Sequence, residues 1–366
     1  MDVSGLFYPS TARAEAAEGK AKRPKTTMSK MLIKTINGVN ELDMVGSIGR
    51  LPRRSVRYEP FTPPVPTPFS LLTVFALFGG SKDKILCADS AGHAAVFDAA
   101  SRFFLAMPEM NSPKGCTHAA VSIRRTAAHA RSDFEVHPEV DTFTFTGETG
   151  GGDWADSLYV LDMVPGGACR FEVLAYYPLS NWCWRPLPPP PFAGDREYKA
   201  PLVANVAVVD GATICVSTAA ATYAFDTVAL RWSKAGDWVL PFAAEYVPEL
   251  GAWFGLSNHR PDYDLCAMDG LSAAAGSSPP TVQHLGRELE VEPPVSWSFM
   301  KHRLVNLGAG RFCIAREFDV ADERDECNSI PVTVFTGVEV VPGGERGLRM
   351  VRHKSKSIIA SITSVL

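Results

Sequence analysis

Residues 258–264, NHRPDYD, gather His259, Asp262 and Asp264 within one short stretch. One imidazole and two carboxylates at that spacing could hold a divalent cation. A polar loop rich in turn formers accounts for the same residues equally well. Residues 146–154, TGETGGGDW, have the glycine density of a phosphate-cradling loop. They lack the Lys-Ser/Thr pair that would reach phosphate and magnesium, and no helical pattern follows, so a turn between strands is the better reading. His118, His129 and His137 are spaced too widely and irregularly for a zinc site. Neither a G-x-S-x-G elbow nor an H-E-x-x-H pair occurs. No catalytic residue, cofactor ligand or metal ligand is therefore assigned, and the chain is expected not to be an enzyme.

Two aromatic stretches also carry chemistry. LPPPPF (187–192) could be a polyproline ligand for another domain. Following Trp184, it reads more simply as a rigid connection between two sheets. In WCW (182–184), Trp182 and Trp184 share one face of a strand and Cys183 takes the other. Burial of that tryptophan face between sheets is expected.

The elements that would position these residues are strands. From Phe69 to about His353, runs such as LLTVFAL, KILCAD, AAVFDA, SLYVLD, FEVLAYY, TICVST, TYAFDT and FCIARE alternate with Gly, Asp and Pro turns. Helical periodicity is not sustained, so the body reads as all-β. The 29 glycines and 28 prolines suit many short strands joined by turns. FTPPVPTPF (61–69) places four prolines where neither a helix nor a central strand continues. Four segments follow: a disordered, basic, low-complexity tail (1–30), a basic arm with a Pro-rich linker (31–68), the β body (69–353) and a C-terminal tail (354–366).

Charge is uneven. The chain carries −4 overall, yet Arg13 to Glu59 holds eleven basic against five acidic residues. The body is therefore acidic and not built for nucleic acid, which leaves at most weak contact through the arm. Lys20–Lys25, KAKRPK, is a cluster of the kind nuclear importers read, or else part of a solvated tail. The start lacks the charged-then-apolar order of a secretory signal, and no apolar run is long enough to span a membrane. The eight cysteines form no C-x-x-C pair, and Cys87, Cys215, Cys266 and Cys313 sit inside apolar runs. They read as small hydrophobes of a protein in a reducing compartment, cytosol or nucleus.

Three stretches repeat: 78–110, 149–192 and 208–242. Each has a glycine-containing turn, a strand closing on an aspartate, then a strand bearing an aromatic and ending near proline. Asp98, Asp162 and Asp226 are spaced 64 apart, and Phe104 and Trp232 each follow their aspartate by six residues. Two weaker copies follow, around 250–270 and from 307 onward. An aspartate can accept turn amides just beyond its strand, and an outer-strand aromatic fills the wedge between adjacent sheets. A small sheet cannot bury both faces alone, and radial stacking of copies solves that.

GGSKDKILCAD…VFD…F and GGGDWADSLYVLD…W resemble kelch repeats. The phrases AVFDAASRFFLAMPEM, WRPLPPPPF, YVPELGAWFGLS and LGAGRFCIAREF make the body similar to a large plant family of unknown function, expanded in grasses and kelch-like in character. The likeness covers roughly residues 69–353 and implies a kelch-like β-propeller. It departs in the third copy, which has the single glycine Gly211, and in the last two, which lack the expected tryptophan. About 285 residues at roughly 45 per blade gives about six blades, with five to seven compatible. The resemblance implies no reaction. Some kelch propellers are copper-radical oxidases, but no block here accommodates their tyrosine and histidine ligands.

Recognition on a propeller comes from loops of several blades. Segments 111–150, 257–263, 271–296 and 319–330 are the expected variable surfaces, the last strongly acidic. The first expectation is a monomeric, non-catalytic platform for protein partners. The alternatives are a small-molecule or carbohydrate binder, or an enzyme, using the funnel, and a ubiquitin-ligase substrate adaptor without a recognisable F-box.

Overall fold

The computed structural model describes residues 40–42, 56–58, 72–79, 84–98, 103–115, 117–129, 156–164, 170–177, 181–201, 204–257, 264–285, 297–322, 325–343 and 347–358. A short antiparallel pair, β1 (Asn40–Leu42) and β2 (Val56–Tyr58), precedes five four-stranded antiparallel sheets. Blade 1 is β3 (Leu72–Phe78), β4 (Lys84–Asp89), β5 (Ala94–Asp98) and β6 (Phe103–Met107). Blade 2 is β7 (His118–Arg124), β8 (Asp156–Asp162), β9 (Phe171–Tyr177) and β10 (Asn181–Pro186). Blade 3 is β11 (Asn205–Val209), β12 (Thr213–Ser217), β13 (Thr222–Asp226) and β14 (Arg231–Gly236). Blade 4 is β15 (Glu245–Val247), β16 (Ala252–Leu256), β17 (Leu265–Asp269) and β18 (Thr281–His284). Blade 5 is β19 (Trp297–Gly308), β20 (Arg311–Asp322), β21 (Asp325–Pro342) and β22 (Leu348–Ile358).

The molecule is thus an all-β, five-bladed propeller, within the expected range but one blade short of about six. Two features lengthen the average blade. A long connection separates β7 from β8, and blade 5 has strands of 12, 12, 18 and 11 residues. Each blade is a simple up-and-down meander cut from one continuous stretch. First strands neighbour one another, β3 beside β7, β7 beside β11 and β11 beside β15, and Ala244 N–H donates to Val206 C=O at 2.8 Å just before β15.

The core is a set of wedges between blades. Val74, Leu86, Val96, Leu158, Leu174 and Trp184 fill the first, between blades 1 and 2. Ile214, Phe171, Phe192 and Phe225 fill the second. Val209, Cys215, Trp238, Phe242, Cys266 and Met268 fill the third, and Phe254, Leu265, Phe312, Ile314 and Val340 the fourth. Burying apolar faces at about 25 cal/mol per Å² is what joins sheets that hydrogen bonds leave separate. Tryptophan placement recurs. Trp184 on β10 donates its indole N–H to Pro108 C=O (2.9 Å), and Trp232 on β14 donates to Pro188 C=O (2.9 Å). Each outer strand is so pinned to the proline linker leaving the previous blade. LPPPPF is one of those linkers, ending in a single 3-10 turn (Pro191–Gly194) with Phe192 buried. As expected, Trp182 and Trp184 pack toward blade 1 and Cys183 packs toward blade 3.

Blade 5 outgrows its neighbours. Asn306 Nδ2–H donates to Glu245 Oε1 (3.2 Å) and Gln283 Nε2–H to Leu348 C=O (3.1 Å), which levels those residues with blade 4. Residues 297–303, 315–322, 325–335 and 356–358 continue past the rank of Leu304, Ile314, Thr336 and Ser355. From Ile314 to Asp322 the sheet gains eight residues, about 26 Å at roughly 3.3 Å each.

Candidate functional site

The overhang of blade 5 rises beside the end of blade 4 where β16 stops and β17 starts. Ser257 N–H donates to Asp264 C=O (2.9 Å) and closes the root of that connection. Asp264 is 3% exposed, so the carboxylate lies at the floor of the junction. Cys266 and His284 are cross-strand partners, with Sγ 3.4 Å from Nδ1, and His284 Nδ1 is 3.7 Å from Asp264 Oδ2. A cysteine, a histidine and an aspartate in contact suggest a thiol nucleophile. The electrostatics say otherwise. Burial, and then the Asp264 charge, push the Cys266 thiol up to about 12. It stays protonated and serves as a weak S–H donor.

Pleating decides what blade 5 presents to this junction. Cross-strand partners share a face, so His302, Arg316, Val334 and Ser357 form one rank. Leu304, Ile314, Thr336 and Ser355 form the next on the same face, and Leu304 and Ile314 pack into the wedge against blade 4. The ranks above the wedge therefore overlook Asp264. Thr336 Oγ1 and Ser355 Oγ lie 2.9 Å apart, and Arg352 Nη2–H donates to Ser355 Oγ at 3.4 Å. Arg352 thus lies along β22 toward Arg316.

Burial holds Arg316 below the ordinary guanidinium range, Asp264 raises it and Arg352 lowers it further. Arg316 remains a cation at neutral pH. Burial, Arg316 and Arg303 push His302 down to about 4, so that imidazole is neutral between two guanidinium groups. The cleft offers two arginines, the hydroxyls of Thr336, Ser355 and Ser357, and a buried carboxylate beneath. The chemistry of such a surface suits an anion better than the abstraction of a proton.

The other sequence candidates are distributed elsewhere. His259, Asp262, His137 and residues 146–154 lie outside the described residues, as does Lys20–Lys25. Asp264 alone of its trio is described, and it lies beside His284 and within electrostatic reach of Arg316. Among the described residues no group of three or more His, Cys, Asp or Glu is placed to hold a metal ion. His118 begins β7, with Nδ1 3.1 Å from Gly115 O, and burial lowers its pKa, with Arg303 of β19 adding to the effect. His129 is a buried pin between blades 2 and 3. Its Nδ1 accepts from Thr126 N–H (3.1 Å), and its Nε2–H donates to Thr227 Oγ1 (2.9 Å), whose proton goes to Ala212 C=O (2.5 Å). Arg125 and Arg185 both lie over the Tyr177 ring, at 4.7 and 3.9 Å from its centroid.

Sequence reasoning missed Arg316 and Arg352. The available signal was the basic run of β22, LRMVRHKSKSI, which holds four lysines and arginines and no carboxylate.

A family model described as protein of unknown function (DUF1668) matches residues 32–359. No curated protein matches the chain in sequence. Among solved structures, the chain is similar to a structural genomics protein of unknown function from Bacteroides thetaiotaomicron, at TM-score 0.37 and 7% identity, covering 72% of this chain and 57% of that one. It is similar to the N-terminal domain of Nup159 at TM-score 0.35 and 13% identity, covering 78% and 62%. For Hsv2 of Kluyveromyces lactis the values are 0.31 and 7%, covering 79% and 74%. The chain spans less than two thirds of the first two of those proteins.

Proposed function

The chain belongs to the DUF1668 family of proteins of unknown function, and from that premise we propose that it is a protein-interaction platform whose recognition element is the overhanging half of blade 5. The observation that carries this reading is the overhang itself. β19 and β20 continue about 23 and 26 Å beyond the level at which they help to close the fold, β21 runs past them both, and β22 adds about 10 Å. Sheet that is not needed for the wedges is surface for something else.

The middles of two innermost strands favour a platform over funnel chemistry: β7 carries Ala119, Ala120, Val121 and Ser122, and β11 carries Val206, Ala207 and Val208. A feature favouring a funnel ligand is that Arg303 lies within electrostatic reach of His118. Kelch-like ancestry, a role as a ligase adaptor and residence in cytosol or nucleus belong to the same proposal. The unpaired thiols Cys87, Cys183, Cys215, Cys266 and Cys313 support a reducing compartment.

The test is to excise 318–332 and join Glu317 to Thr333, which are cross-strand partners, through an Asn-Gly turn. Proximity labelling with the intact and the trimmed chain should return a partner set that the trimmed chain loses. An unchanged partner set would overturn the platform reading, and funnel variants at Arg303 would then be compared in its place.

A further inference from the structure

The polyproline link between blades 2 and 3 has more proline than the passage between blades requires. Link 108–117 crosses from blade 1 to blade 2 with Pro108 and Pro113, and link 237–244 crosses from blade 3 to blade 4 with Pro241 alone. Here Leu187 alone separates Pro186 from the run Pro188–Pro191. Each proline fixes its own φ and restricts the residue before it, which holds the run in the polyproline II helix. Pro190, at φ −63° and ψ 148°, has the dihedrals of that helix.

A polyproline II helix has three residues per turn, so positions three apart share an edge. Leu187 and Pro190 form the inner edge. Leu187 packs against the wedge between blades 2 and 3, and Pro190 is buried. Pro186 with Pro189, and Pro188 with Pro191, form the other two edges, and all four are exposed. The face between those edges is open to solvent along about 15 Å, at roughly 3.1 Å per residue.

Both ends of the ridge are anchored. Pro186 pairs with Glu172 in the ladder, and Leu187 N–H donates to Phe171 C=O (2.8 Å). Buried Phe192 closes the far end. A partner would therefore pay little to order this segment. The ridge offers rings and carbonyl groups, and its prolines have no N–H. Among the described residues, Pro189 C=O takes no hydrogen bond. Trp232 shows what suits such a carbonyl, since its indole N–H donates to Pro188 C=O from the protein's own side (2.9 Å). A partner on the outer face needs the same equipment: aromatic rings to seat the prolines, and a Trp or Tyr donor for Pro189 C=O.

We propose that Pro186–Pro191 is a docking ridge for a small domain that binds polyproline II helices in an aromatic-lined groove. The ridge lies apart from the overhang of blade 5 and adds a second contact surface to the platform reading.

The intact chain is titrated into a purified SH3 domain and, separately, a purified WW domain, with amide shifts of the isotope-labelled domain as the readout. At least one should bind with a dissociation constant below about 1 mM, and a decaproline peptide should displace the chain. A free peptide of residues 185–192 should bind more weakly than the chain, because the fold has already ordered the ridge. Pro189→Ala and Pro191→Ala each remove a ring from the outer face and should weaken binding about tenfold. Pro241→Ala alters the single proline of another link and should leave binding unchanged. Silence of both domains would overturn the proposal. So would binding of the free peptide without binding of the chain, since the fold would then close the ridge. Equal weakening by Pro241→Ala would also overturn it. Unfolding curves on each variant separate loss of binding from loss of fold. Excision of 318–332 leaves this link intact, so the overhang and the ridge fail separately.

Discussion

Lys114 and Glu172 form an ion pair in which neither side chain has any exposed surface. Lys114 Nζ–H also donates to Ser112 C=O (2.7 Å), and Glu172 Oε2 accepts from Asn111 N–H (3.0 Å) and Asn111 Nδ2–H (2.7 Å). The linker from blade 1 is thereby tied to the third strand of blade 2. A buried pair adds little over apolar packing, but removing one member strands the other. Glu172→Ala should cost about 3–5 kcal/mol in urea unfolding. Lys114→Met with Glu172→Leu together should recover much of that loss. A single substitution under 1 kcal/mol (about the value of a surface pair) would contradict the assignment.

Gly255 lies in the middle of β16, where a Cβ would come 2.1 Å from the Phe242 ring and 2.5 Å from Ala243 O. The chain arriving from blade 3 passes directly over this strand. Gly255→Ala should therefore lose about 1–3 kcal/mol or more, measured by denaturant midpoint. Gly211→Ala is a comparison with a different cause, since nothing lies within 4 Å of its Cβ position and only its φ of 66° is strained. That change should cost about 1 kcal/mol.

The two linker-pinning tryptophans give a paired experiment. Trp184→Phe and Trp232→Phe keep an aromatic in the wedge but remove the indole N–H that Pro108 and Pro188 accept. Each should cost about 1–3 kcal/mol, more at Trp184, which is buried, than at the less buried Trp232. Equal and negligible losses would remove the pinning role.

Acid should destabilise the fold through His118, His129 and His302, whereas His93, raised by its hydrogen bond to Asp89, acts the other way. The pKa of His302 is lowered to about 4, and those of His118 and His129 are lowered mainly by burial. Folded values below the unfolded value of about 6.5 mean that the unfolded chain binds more protons between the two. Stability contributed by neutral His302 is full above about pH 6.5 and is lost as pH falls toward 4. The geometry at His129 agrees, because Nδ1 accepts the Thr126 N–H and cannot do so when protonated. His302→Gln should flatten the slope of unfolding free energy against pH across that window by up to one proton. An unchanged slope would show that His302 is not held neutral.

The sequence was most informative where one blade followed the expected spacing. Blades 1 and 3 have Asp98 and Asp226 at the end of the third strand, and Asp226 accepts from Val228 N–H (2.9 Å) and Ala229 N–H (2.8 Å) as its turn requires. Blade 2 misled. Asp162 ends the second strand instead, so the shared spacing of 64 is not a common register. The tryptophan equivalent to Trp232 is Trp184. The displaced strand is β7, HAAVSIR, which falls in the stretch read as an insertion. Its small and polar residues gave no apolar run, because an innermost strand at a crowded axis needs little bulk. β18, TVQH, was hidden for the opposite reason, being a short, exposed outer strand.

The cleft was illegible for a topological reason. Arg316 and Asp264 are 52 residues apart in the chain and meet only when blade 5 stacks on blade 4. Asp264 did stand out, but beside His259 and Asp262 as a cation ligand. Arg316, within its electrostatic reach, makes the opposite use of it. The acidic look of 319–330 likewise masked two strand ends, since β20 runs to Asp322 and β21 starts at Asp325.

Among the described strands every blade is cut from one unbroken stretch, and none is shared between the first blade and the last. Mechanically, that part of the circle is a collar without a clasp. Tension applied at Leu72 and Ile358 would load the joint between blades 1 and 5 first, and among the described strands no ladder crosses it. Pulled in an optical trap, the molecule should part at that joint at low force and then give way blade by blade.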